Sequence, residues 1–218
     1  RQIFLPQFGF IQISGDKVWT SVIDKTHVVE GFTGATPLAV GMVPHNDMSI
    51  MEALNHAGYT LKSMIMGLEP GSIGETSVIA CAIGALILIA TGVGSWRVIV
   101  GSLLGLAATA TLVNLFPGQN MKPLAQLPFL YHMAMGGFAF GVVFMATDPV
   151  SAAASNAGKW IYGFLIGLLI VVIRVANPAY PESVMLAILF MNVMAPLIDH
   201  FVLQTHIKRR NRYVYAQE

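Results

Sequence analysis

The run GFTGAT (residues 31–36) ends on the hydroxyl of Thr36, with small residues on one side and Pro37 on the other. Proline biases the residue before it toward an extended backbone, which leaves the Thr36 side chain presented rather than folded into a helix. That arrangement serves a tight turn. It equally leaves room for a covalently attached group and for the enzyme that attaches it. Asp148 precedes Pro149 in ATDPVS (146–151), and Asp199 precedes His200 at the end of an apolar run. A carboxylate beside a broken helix with free carbonyls is one way membrane proteins bind Na+, and a boundary Asp is also an ordinary helix cap. The run SIGE (72–75) reads as a capping box, or as a helix start whose Gly71 and Gly74 open backbone N–H groups to a polar ligand. Gly136 and Gly137 suit close helix packing, and they also admit a flat ring against bare backbone. One cysteine, Cys81, excludes an internal disulfide, and it cannot hold an iron–sulfur cluster, which takes about four ligands. The six histidines show no paired spacing for haem or zinc.

The elements that must position these groups are apolar. Hydrophobic residues make up 55% of the 218 and charged ones 11%, against about 25% in a soluble domain, so the chain reads as an all-α integral membrane protein. Five stretches are long enough to cross about 30 Å of hydrocarbon, which takes about 20 residues: 76–96, 98–121, 123–147, 160–177 and 183–203. Arg174 lies about a turn from the end of the fourth, where its side chain is expected to snorkel. Asp199 lies near the end of the fifth. Residues 148–154 look like a broken or re-entrant element. Ahead of the spans, Ser49 and Glu52 form a capping-box pair, and 60–68 is long enough only for a half-helix packed inside protein. The organisation expected is a polar segment 1–30, a segment of short helices 31–74, a transmembrane bundle 75–204 and a basic tail 205–218. The chain starts at Arg1 and is read as a piece of a longer protein.

Basic residues orient the bundle. Lys208, Arg209, Arg210 and Arg212 cluster after the last span, and such clusters stay in the cytoplasm. Counting spans backwards places Arg97 and Lys159 on the same side, against Lys122 alone among the opposite short loops. Thr36 is then expected on the outer face, provided that 60–68 turns back.

Several runs together carry a resemblance: GFTGAT (31–36), PGSIGETS (70–77), SWR (95–97), GGFAFG (136–141), FMATDPVSA (144–152), RVANPAYPE (174–182), DHF (199–201) and IKRR (207–210). From about residue 31 to 210 the chain resembles the C-terminal half of the B subunits of the Na+-translocating NADH:quinone oxidoreductase family. The resemblance implies that Thr36, last residue of an (S/T)-G-A-T motif formed here by Thr33, Gly34, Ala35 and Thr36, carries FMN as a phosphoester. A separate Mg-dependent flavin transferase would attach it from FAD, so Thr36 is an attachment site rather than a catalytic nucleophile. Where that motif commonly opens with Asp, this chain has Glu30. Also implied are riboflavin, ubiquinone as substrate, Na+ as transported ion with Asp199 the first and Asp148 the second candidate contact, and a six-subunit complex in the bacterial inner membrane. Partners are then the other subunits, the transferase and membrane lipid, with no nucleic acid. The fold implied is one inverted repeat of a urea-channel-like architecture, with broken helices. The D subunit of the Rnf-type ferredoxin:NAD+ oxidoreductase shares fold and motif and remains an alternative. A solute channel of the same architecture would need no flavin at Thr36.

Overall fold

Apolar stretches without a charge for 20 residues or more must satisfy their backbone internally, and helices do so. A computed structural model of the chain describes residues 36–42, 49–68, 71, 74–115, 123–177 and 182–215, and among them every regular element is helical. Three short helices come first: α1 (Pro37–Val40), α2 (Ile50–His56) and α3 (Leu61–Met66). The expected capping box is present at α2, where Ser49 Oγ accepts from Glu52 N and Glu52 Oε2 accepts from Ser49 N at 3.0 Å. A second box, Thr60 with Ser63, opens α3. Then follow α4 (Val78–Ala90), α5 (Trp96–Leu115), a 3-10 turn (Pro123–Gln126), α6 (Phe129–Ala134), α7 (Phe138–Phe140) leading into a π-helical stretch (Gly141–Met145), α8 (Asn156–Ala176) and α9 (Ser183–Tyr215).

Of the five expected crossings, 98–121, 160–177 and 183–203 correspond to α5, α8 and α9, each long and apolar enough to span. The first shortens to the 13 residues of α4. Its start is capped by Ser77, whose Oγ accepts from Ala80 N, so the box expected from Ser72 and Glu75 does not open it, and Ser72 lies outside the described residues. It stops at Thr91, with Gly92 at φ 74° turning the chain. The third stretch, 123–147, is a stack of short pieces. Pro128 stands ahead of α6, Gly136 and Gly137 take left-handed φ of 63° and 65°, and the chain then coils through one turn of π-helix, a rare form found mostly as single turns. Residues 148–155 are turns with no helix until Asn156. The basic tail extends α9 to Tyr215, since Lys and Arg suit the negative end of a helix dipole.

Two apolar clusters hold these pieces. In the bundle, α8 packs between α5 and α9 around Val98, Leu106, Ile166, Ile170 and Ile188. Glycines let α5 and α8 touch backbone to backbone: Gly101 and Gly105 face Gly163 and Gly167, as small residues four apart do in membrane helices. The second cluster joins Leu38, Ile50, Leu54 and Met64 of the short helices to Leu124, Leu127 and Met135. On the outside of α9, Leu186, Leu189, Phe190, Val193 and Leu197 are exposed. A polar solvent would penalise that surface and a bilayer would not; the protein is a multi-pass membrane protein.

Candidate functional site

The sequence-derived residues gather at the two ends of α8, which at about 1.5 Å per residue lie about 30 Å apart. One end holds Thr36. It is extended (φ −66°, ψ 157°), as its position before Pro37 requires, and it N-caps α1 through a 3.3 Å bond that its Oγ1 accepts from Ala39 N. The residue is half-buried, and among the described residues its O–H donates to nothing. Thr33, Gly34 and Ala35 lie outside the described residues.

Two residues on, Leu38 is buried against the Gly136–Gly137 turn. A Cβ on Gly136 would lie 3.0 Å from Leu38 Cδ2 and 2.9 Å from Arg174 Nη2, and one on Gly137 would lie 2.7 Å from Glu75 Oε2. Both glycines therefore serve the left-handed backbone and admit Leu38, Arg174 and Glu75 side chains into the space a Cβ would take.

Arg174 does not snorkel. It is 1% exposed, and its guanidinium donates from Nη1 to His132 O (2.6 Å) and from Nη2 to Met135 O (2.8 Å). These carbonyls end the short helix α6, where intrahelical N–H partners run out, so a buried fork of donors satisfies them. Arg174 Nε and His132 Nδ1 are buried without a hydrogen-bond partner. Composition had marked Arg174 only as a charge near a helix end; its partners are about 40 residues away in sequence, and the signal that marks them is the Pro128 to Gly137 break.

The other end of α8 holds both acidic candidates. Asp199, from α9, accepts from Ala154 N at 2.6 Å, from Ser155 N at 3.0 Å and from Ser155 Oγ. It caps the start of α8 from a neighbouring helix, and Gly158 leaves it room, since a Cβ there would sit 2.6 Å from Asp199 Oδ1. Asp148 closes its own turn, accepting at Oδ2 from Ser151 N (3.0 Å) and Ser151 Oγ (2.7 Å). Those bonds, the hydroxyl's first, hold the Asp148 carboxyl below its ordinary range. One to two turns into α8, Tyr162 donates its hydroxyl to Asn192 Oδ1, and Asp148 is near enough for its charge to act on that phenol. Pro196 in α9 has no N–H, which leaves the Asn192 carbonyl without its usual intrahelical donor. Sequence reasoning missed Tyr162 and Asn192; a tyrosine and an asparagine inside apolar runs were the available signal. Among the described residues no three His, Cys, Asp or Glu side chains converge to hold a metal.

A family model for the NQR2, RnfD, RnfE family matches residues 7–208. The B subunit of the Na(+)-translocating NADH-quinone reductase of Stutzerimonas stutzeri is 50% identical over 199 residues, which are 91% of this chain and 46% of that protein. The proteins of the same name from Yersinia pestis and Azotobacter vinelandii are 49% and 47% identical over equal spans. The chain thus spans about half the length of the relatives it matches. A match over nearly the whole chain, beside an all-helical fold with three helices long and apolar enough to span, places it in a family: the chain belongs to the NQR2, RnfD, RnfE family.

Proposed function

We propose that the chain is part of the B subunit of a Na+-translocating NADH:quinone oxidoreductase, with FMN joined to Thr36 as a phosphoester. The observation that carries the reading is identity of 47–50% over 91% of the chain to proteins bearing that name. The local geometry is compatible. Esterification removes only the Thr36 O–H, which donates to no described residue, and the ester oxygen can still accept from Ala39 N. The extended backbone before Pro37 presents the hydroxyl, and α1 is anchored by buried Leu38, so the attachment point is fixed against the bundle. FMN supplies reversible electron transfer when bound, and the chain's task is to hold it at a set place and to set its surroundings.

In this reading riboflavin and ubiquinone follow in the electron path, the other subunits complete a six-subunit inner-membrane complex, and a flavin transferase matures the protein. The excess of Lys and Arg supports a cytoplasmic α9 tail and, at the opposite end of α8, a periplasmic Thr36. Na+ then meets Asp199 and Asp148 from the cytoplasm. Oxygen donors for it at that end are the two carboxylates, Tyr162 and the Asn192 carbonyl that Pro196 deprives of its usual donor. A Na+ at Asp199 would share a carboxylate already accepting three hydrogen bonds, leaving about one lone-pair site. In cells with an active flavin transferase, Thr36→Ala should abolish the in-gel flavin fluorescence of this chain while the complex still assembles. A fluorescent band that survives the substitution would put the flavin elsewhere.

A further inference from the structure

Arg174 is the least explained charge in the molecule. Its guanidinium is buried inside a helical membrane protein, where charge is expensive, and both of its bonds go to neutral backbone carbonyls. Carbonyl acceptors satisfy donors without cancelling the charge. A third donor, Nε, is buried with no hydrogen-bond partner, and Glu182 acts on the group electrostatically from the start of α9. The position is specific. The point that a Gly136 Cβ would occupy lies 2.9 Å from Nη2 and 3.0 Å from Leu38 Cδ2, so guanidinium and leucine both close on this glycine, and Leu38 belongs to the helix that Thr36 caps. The end of α6 and the Gly136 turn meet this side chain directly, and α1 meets the same glycine through Leu38.

We propose that Arg174 is the positioning residue of the Thr36 site: it fixes the seat of α1 and places a positive charge, bonded only to neutral carbonyls, beneath the anionic phosphodiester-linked group on Thr36. The inference rests on the flavin reading above. A positive charge near a carrier that gains negative charge on reduction favours the reduced form, and low surrounding polarity strengthens the effect. Stability alone would be served by any side chain that fills the space and satisfies two carbonyls. The charge is the part that a flavin would sense.

The test uses the complete complex with Arg174→Gln and Arg174→Lys. Fluorescence of this chain in denaturing gels reads flavin loading, and spectroelectrochemical titration reads the midpoint potential of the Thr36-linked flavin. Arg174→Gln should load flavin and shift its midpoint to more negative potential, and Arg174→Lys, which keeps the charge, should return it close to wild type. A loaded Arg174→Gln complex with an unmoved midpoint overturns the inference while leaving the flavin reading intact. A wild-type complex with no flavin on Thr36 overturns the flavin reading itself. If Arg174→Gln does not assemble, Gly136→Ala takes its place, because the added methyl meets Nη2 at 2.9 Å and displaces the charge. The same negative shift is expected there, and an unmoved midpoint in that variant also overturns the inference.

Discussion

Replacing Gly105 or Gly167 by alanine should separate α5 from α8. A Cβ on Gly105 would lie 2.1 Å from the Phe164 carbonyl oxygen, and one on Gly167 would lie 2.1 Å from Ser102 O and 2.5 Å from Leu106 N. The obstacles are backbone atoms of facing helices, so no rotamer change relieves them. Ordinary contact begins near 3.4 Å, and the helices must part by at least about 1 Å. A gap of that size forfeits about half of the dispersion well along the seam, where Val98, Leu106, Ile166 and Ile170 are packed. Overpacking of this kind costs about 2–3 kcal/mol, and the gain in helix propensity from Gly to Ala returns at most about 1 kcal/mol. Gly84→Ala is the control. Its methyl meets the Phe144 ring tip at 2.5 Å, but that ring is exposed and free to turn, so the net change should stay within about 1 kcal/mol. Thermal unfolding in mild detergent, followed by size exclusion of the intact complex, should show losses of about 2–8 °C for the two seam variants and little for Gly84→Ala. Equal melting of all three would refute backbone-to-backbone packing of α5 on α8.

Three further outcomes follow from the other end of the bundle. Asp199→Ala removes three accepted hydrogen bonds at the start of α8 and should destabilise by about 1–3 kcal/mol, read as a lower melting temperature, whereas Asp199→Asn should lose less. The depressed Asp148 carboxyl contributes stability that is present above its unfolded pKa and is lost as pH falls through the lower folded value, so acid melting curves of Ser151→Ala and wild type should diverge above about pH 4 and converge at lower pH. Tyr162→Phe breaks the bond to Asn192 inside the bundle and should cost about 1 kcal/mol, which urea or thermal titration would detect; no change would mean that the pair bears no load.

Long apolar runs, with Arg174 and Asp199 the single charges in the last two, announced α5, α8 and α9 because composition and length are what a bilayer selects. The same property misled for 123–147. Hydropathy does not distinguish one spanning helix from short pieces buried in protein, and the left-handed Gly136–Gly137 turn depends on Arg174 and Glu75 arriving from elsewhere. Gly163 and Gly167 stand four apart in the sequence, the spacing of a packing face, yet nothing local says that they meet α5. Arg174 read as a snorkelling end charge because its carbonyl partners become available only when α6 breaks. Asp199 was visible as an isolated carboxylate, while its donors Ala154 and Ser155 lie 44–45 residues earlier and emerge only when α9 folds back beside α8. At Thr36 local rules sufficed: a proline after it predicts the extended backbone that the structure has.

A flavin on Thr36 is read from the mass of the Thr36-containing peptide of the native membrane complex. The predicted result is a gain of FMN less one water, localised to Thr36 by fragmentation. An unmodified Thr36 from cells with an active flavin transferase would contradict the claim, and would leave the hydroxyl as the cap of α1 alone.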